Sequence, residues 1–314
     1  MSQAVNTSEA ARVAATQQRG GTLSLTRSQT RLAWLLLAPT LAVVAFVALY
    51  PLLQTIWQSF TDARLASGRE PQFVGLRNYE RLIGDQTFLN SIVVTVQFTV
   101  LTIIFEFILG LIIAMVINSN FRGRGAMRAA MLVPWAIPTV ISAQMWKWMY
   151  HDVYGVINDL LVNKLHLLQQ NVAFLAESTT AIPAISAVDI WKTTPFVALL
   201  LLAGLQVIPH DVYEAARVDG ANPIQQFFQI TLPLLRPAIL VTLIFRTLDA
   251  LRVFDVFYVM FGATPNTQTM AIYNQQTIVA FSRLGYGATI SIAIFLIIAV
   301  FVVGYVTFFK VEQQ

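Results

Sequence analysis

Ionisable side chains stand inside otherwise apolar stretches of this chain. Asp189 and Lys192 lie three residues apart, followed by Thr193 and Thr194. Arg246, Asp249, Arg252 and Asp255 alternate in sign at three-residue steps, and Glu106 stands by itself. A charge near the centre of a bilayer costs about 2.5–3.5 kcal/mol, so such a row must pair or face a polar cavity. Neighbours three apart can pair along one helix. Each step also drifts about 60° round the helix, so the row cannot all face one partner. Two roles are open to these groups: ion pairs that hold the fold, or hydrogen bonding to a polar solute on its path across a membrane. Glu106 has three readings: a proton relay, a carboxylate paired with another chain, or an acid kept protonated.

The elements that carry these residues are membrane helices. The chain has 314 residues, 56% hydrophobic and 11% charged, against about a quarter charged in a soluble domain. Six stretches are long and apolar enough to span a bilayer, at about 32–57, 90–117, 127–149, 181–206, 237–261 and 287–309. Residues 1–30 are rich in Ser, Thr, Gln and Ala and read as a disordered tail, leaving 31–314 as the membrane domain. A long polar tail before the first apolar run points to a retained span, not a cleaved signal peptide. Arg12, Arg19, Arg27 and Arg31 precede span one, and Arg122, Arg124 and Arg128 separate spans two and three. The positive-inside rule puts both regions, both termini and the loop between spans four and five on the cytoplasmic side. Asp189 and Lys192 then fall in the outer half of span four, at the depth of Arg252 and Asp255 in span five. The net charge of +4 sits mostly in these topological segments, so no nucleic-acid partner is expected. With no cysteine there are no disulfides or thiolate sites, and His151, His166 and His210 are too scattered to hold a metal.

The loop EAARVDGANPIQQFFQITLPLLRP, from Glu214 to Pro237, reads as two short helices with a corner. Asp211 is the expected N-cap of the first, with Glu214 completing a capping box. Gly220 is expected in the left-handed conformation that ends it. Asn222 should cap the second helix, with Pro223 at its first position, and Pro233 and Pro237 should break the chain before span five. Glu-Ala-Ala, a gap of two, Asp-Gly-Ala, then Leu-Pro resembles the EAA loop of permease subunits in binding-protein-dependent ABC importers. The resemblance implies the type I ABC importer permease fold, all-α with six transmembrane helices. It makes 209–237 a cytoplasmic coupling helix between helices four and five. Tyr213, Glu214, Ala215, Ala216, Asp219, Gly220 and Ala221 are the residues it assigns to contact with an ATPase subunit.

Three further stretches are similar to sugar permeases of this group, of maltose and trehalose type. FVGLRNYERLIGDQTFLNSIVVTVQF from Phe73 resembles the segment before span two. DIWKTTPFVALLLLAGLQVIP from Asp189 resembles the span leading into the EAA loop, and FRTLDALRVFDVFYV from Phe245 the span after it. By position the resemblance assigns Asp189, Lys192, Thr193, Phe196, Arg252 and Val253 to the substrate path; Asp249 and Asp255 join them as charges in the same span. Charged groups here replace the mostly neutral polar ones of the maltose protein. Hydrogen-bonding charges beside aromatic rings suit a polyhydroxy ligand. Trp135, Trp146, Trp148 and Tyr150 read as core packing and an interfacial belt. The 151–180 segment reads as a solvated outer loop or a docking contact.

No G-x-x-x-x-G-K-[ST] loop, G-x-S-x-G elbow or H-E-x-x-H helix occurs in the chain, so no enzyme activity or cofactor is expected of it. The resemblance places Mg-ATP in two partner ATPase subunits. It also implies a second permease, an extracytoplasmic sugar-binding protein and a bacterial inner-membrane location. The rival reading is a secondary transporter, coupled to ions or protons through Glu106 or the span-five charges.

Overall fold

The computed structural model describes residues 3–309 apart from 263, 265 and 266, and side chains from residue 29 on apart from 178 and 309. Two compact units divide the chain, Met1–Trp57 and Gln58–Gln314. The first is built on α1 (Gln3–Ser59), whose apolar part, Gln29–Ser59, is long enough to cross a membrane. The helix begins at Gln3, within the stretch whose composition predicts disorder. Ala, Gln, Glu and Arg are good helix formers, and a helix already nucleated in the apolar part extends at little cost.

In the second unit α2 (Arg77–Ile83) leads into α3 (Gln86–Asn118). Asp85 caps α3, its carboxylate accepting from the backbone N–H of Thr87 at 3.0 Å and Phe88 at 3.2 Å. The expected third span is two helices, α4 (Arg124–Ala136) and α5 (Thr139–Met149), bent by 85°. Pro138 causes the break: it has no N–H to donate, and it holds Ile137 in an extended conformation, φ −70° and ψ 131°. The 151–180 loop is more ordered than a solvated loop: α6 (Val156–Asn158) runs into a π-helical turn at Asp159–Lys164. Buried Asn158 pins it, exchanging hydrogen bonds with both backbone groups of Val172 at 3.0 Å.

The long helix α7 (Ser178–Val207) lies along α3. They approach closely at Gly110, where a Cβ would sit 2.7 Å from Val197 Cγ1. The loop that follows holds α8 (His210–Val218), α9 (Pro223–Gln226), a π-helical turn at Phe227–Thr231 and α10 (Leu232–Leu234). A 64° bend then leads into α11 (Arg236–Ala250), as Pro233 and Pro237 led us to expect. Span five is not continuous either. It ends at Ala250 and resumes as α12 (Asp255–Phe261) after four irregular residues. Thr269 donates to the freed Val253 carbonyl at 3.0 Å, the kind of repair that irregular backbone at membrane depth requires. The fold closes with α13 (Met270–Gln275), continued by a π-helical turn, and α14 (Leu284–Phe309).

Among the described residues, counting each bent pair once gives six candidate spans: four continuous helices and two broken ones. Two clusters of buried side chains mark opposite ends of the bundle. Ala114, Ile117, Leu201, Leu205 and Leu235 pack where α3, α7 and α11 meet the 209–237 loop. Phe98, Ala143, Tyr150, Ile185 and Phe257 pack at the other end.

Candidate functional site

Between these two clusters the charged residues converge on Arg246. Its side chain is 1% exposed and reaches three carboxylates on three helices. Nε donates to Glu106 Oε2 at 2.6 Å and Nη2 to Glu106 Oε1 at 2.8 Å. Nη2 also donates to Asp189 Oδ2 at 3.0 Å, and Nη1 to Asp249 Oδ2 at 2.7 Å. Glu106 is therefore not alone, and its partner lies in this same chain. A planar fork on a carboxylate is the strongest pairing a buried guanidinium makes. Of the expected neighbour pairs only Arg246 with Asp249 forms; the other two ion pairs of Arg246 cross between helices. The physical reason is the three-residue drift, which turns Arg246 inward toward α3 and α7.

Lys192 does not pair with Asp189. Its ammonium donates to the Ile137 carbonyl at 2.8 Å and the Trp135 carbonyl at 3.2 Å. Those are the carbonyls that the Pro138 break leaves without helical donors. A charge read as substrate-facing thus also caps a broken helix. Lys147 on α5 acts similarly, donating to Val259 on α12 at 3.0 Å.

A cavity of about 240 Å³ opens beside this network. Asp189, Lys192, Thr193, Asp249, Arg252, Val253 and Asp255 all line it. Phe196 is not in its wall but stacks on Trp135, ring centres 5.7 Å apart and 9° from parallel, and Trp135 does line it. Trp135 is therefore a cavity residue and not simply part of an interfacial belt. Arg246, Phe98, Thr139, Ala250, Phe254 and Val256 complete the lining beyond the residues expected from sequence. The signal for Trp135 and Thr139 was Pro138 between them, a break that exposes backbone to a cavity. The pairing of Glu106 with Arg246 left no signal, because no local spacing connects them. Arg252 lies in the irregular segment between α11 and α12 and uses only Nε, on the Leu248 carbonyl at 3.0 Å. A larger groove of about 820 Å³ runs past Val93, Val100 and Ile104 on α3; it is mostly apolar and contains none of these charges.

The 209–237 loop begins two residues after α7 ends. Pro209, not Asp211, occupies the cap position of α8, and no side chain caps it. With the proline at the cap the helix starts at His210, so Asp211 already lies in the first turn, two residues past the cap position. Gly220 has φ +83°, and its N–H donates to the Arg217 carbonyl at 3.1 Å. Asn222 and Gln225 form a full capping box at 2.9 and 2.8 Å, with Pro223 at the first helical position. Tyr213 hydrogen-bonds Thr231 across the corner at 3.0 Å. Glu214, Ala215, Asp219 and Gly220 are exposed, and Ala216 and Ala221 half-buried. Val218, Ile224 and Phe228 expose large apolar side chains on the same loop.

A helical bundle with broken spans, an intramembrane polar cavity and a capped lever between two spans defines a membrane permease subunit. Residues 106–310 match the binding-protein-dependent transport system inner membrane component family, and the chain belongs to that family. It is 42% identical over 289 residues to the trehalose/maltose transport system permease protein MalF of Thermococcus litoralis, covering 90% of this chain and 95% of that one. It is 41% identical over 266 residues to the sulfoquinovosyl glycerol transport system permease protein SmoG of Agrobacterium fabrum, covering 84% of this chain and 85% of that one. In fold it resembles a chain of a bacterial ABC transporter involved in the import of the acidic polysaccharide alginate. The TM-score is 0.75 at 22% identity, over 91% of this chain and 98% of that one. The fold is that of type I ABC importer permeases.

Proposed function

We propose that the chain is the permease subunit of an ATP-driven importer that carries a carbohydrate, a disaccharide such as trehalose or maltose, into the cytoplasm. The observation that carries this reading is the cavity. Carboxylates, cations and two threonines share its wall with Trp135 and Phe254, the mixture that binds hydroxyls and the apolar faces of sugar rings. At about 240 Å³ it is smaller than the roughly 300–1,000 Å³ typical of ligand pockets, so a second permease subunit supplies the rest of the wall. The sugar arrives on an extracytoplasmic binding protein. One of two ATPase subunits using Mg-ATP docks on the exposed residues between Tyr213 and Ala221. The chain lies in a bacterial inner membrane with both termini in the cytoplasm.

Coupling follows from connectivity. α7 carries Asp189 and Lys192 and leads within two residues into α8. α11, which the loop feeds, carries Arg246 and Asp249. A rocking motion of docked ATPases reorients the two helices that line the cavity.

The test is purification from detergent-solubilised membranes, then ATPase assay with loaded binding protein and a disaccharide panel. Co-purification of an ATPase and a second permease, with one sugar stimulating hydrolysis, supports the reading. A chain that purifies alone and drives uptake that collapses with an uncoupler overturns it in favour of a secondary transporter.

A further inference from the structure

The two relatives described above differ in substrate charge: trehalose and maltose are neutral, while a sulfoquinovosyl group carries a sulfonate. At 42% and 41% identity, similarity does not choose between them. The charge balance of this chain's part of the cavity bears on the choice. Three cations and three carboxylates line it, but the cations are not equally available. Arg246 is buried, and all three of its guanidinium nitrogens are held by Glu106, Asp189 and Asp249. The Lys192 ammonium is held by two backbone carbonyls. Arg252 alone among the lining residues keeps both terminal nitrogens unengaged, and it sits midway between Asp249 and Asp255 in the chain.

The carboxylates are freer. Asp249 gives one oxygen to Arg246 and its side chain is 75% exposed. Asp255, at the first position of α12, is exposed and makes no ion pair among the described residues. An incoming ligand therefore meets two open carboxylates for one open guanidinium. Hydroxyls satisfy that arrangement, donating to the acids and accepting from the arginine. A sulfonate, phosphate or uronate would instead sit beside uncompensated like charge.

We infer that Asp249 and Asp255 are specificity-determining residues that select uncharged polyhydroxy sugars and reject anionic ones. The inference rests on the sugar reading above. It also gives the irregular segment between α11 and α12 a purpose: the segment carries Arg252 at the wall of the cavity that both acids line.

The test uses the purified complex of permeases and ATPases in detergent, without binding protein, so that selection by that protein does not enter. Equilibrium binding of tritiated trehalose and trehalose 6-phosphate is compared for the native complex, Asp255→Asn, and Asp249→Asn with Asp255→Asn. The native complex is expected to favour the neutral sugar at least tenfold. Asp255→Asn should narrow that ratio several-fold, and the double variant should narrow it about tenfold or more, by tightening the anionic ligand. Asp255→Asn leaves the Arg246 network intact, so it tests the idea even if the double variant fails to assemble. Equal affinity for the two ligands in the native complex, or an unchanged ratio in Asp255→Asn, overturns the charge selection and leaves the sugar reading standing. Binding of neither sugar, nor of maltose, overturns both.

Discussion

Arg246 grips Glu106 through two hydrogen bonds of 2.6 and 2.8 Å, although the residues lie 140 positions apart in the chain. The pair is fully buried. It ties α3 to α11 near the middle of the bundle, and through Asp189 it reaches α7 as well. Three helices thus meet at one guanidinium that itself lines the cavity, with Asp189 and Asp249 beside it. The pair's own Coulomb attraction is largely offset by desolvation. Its effect is to fix which helix faces meet, and removal of one partner strands a charge.

Glu106→Ala should therefore destabilise the assembled protein by about 3–5 kcal/mol, the usual cost of breaking a buried pair. Thermal unfolding in detergent, with membrane abundance alongside, checks this. Glu106→Gln, which keeps an acceptor, should fall between. A Glu106→Ala protein as stable as the parent would show that the network adds nothing.

Lys192→Met should leave the Trp135 and Ile137 carbonyls without their donor. A hydrogen bond with a charged partner contributes about 1.5–3 kcal/mol, so the melting temperature should drop and the angle between α4 and α5 loosen. Lys192→Arg should recover part of the loss. Protease sensitivity at the 137–138 break is a second readout, and no change in either measurement would contradict the capping role.

Gly220→Pro should abolish transport while leaving the chain inserted in the membrane. Proline fixes φ near −65°, whereas Gly220 has φ +83° and donates its N–H to Arg217. The corner between α8 and α9 cannot form, but no membrane span is touched. Uptake assays beside quantitation of inserted protein decide it; loss of insertion is the contrary result.

Asp85 links α3 to α13 and α14, accepting from Tyr273 at 2.5 Å and Tyr286 at 2.6 Å. Burial alone would raise its carboxyl, but the two tyrosines and the backbone N–H groups of Phe88 and Thr87 outweigh that and hold it below the usual aspartate value. Burial and Asp85 together push Tyr273 up to about 12. A depressed carboxyl stabilises the fold above its unfolded value of about 3.9, and the benefit disappears as pH falls through the lower folded value. Asp85→Asn should be less stable than the parent at pH 7, and the two melting temperatures should converge below about pH 4. A constant difference down to pH 2 would show that charge is not the cause.

Apolar length, basic flanks and the Glu214–Pro237 pattern determined the number of candidate spans, the capped corner at Gly220 and Asn222, and the family. These features are local: each depends on residues within a few turns of one another, so the sequence displays them directly. Pro138 and Pro233 likewise announced their breaks, although not the 85° and 64° angles. Tertiary structure alone decided the partners of the charges. Glu106 reads as solitary because its counter-ion comes from a distant span, and Lys192 reads as a ligand group because its carbonyl acceptors belong to another helix's broken end. The interruption at Leu251–Phe254 was equally hidden, since no proline or glycine marks it; its freed carbonyl is satisfied by Thr269, which only packing brings near. Long-range pairing of buried charges follows from the desolvation cost that each must offset, and which pairs form is set by helix packing, not by spacing along the chain.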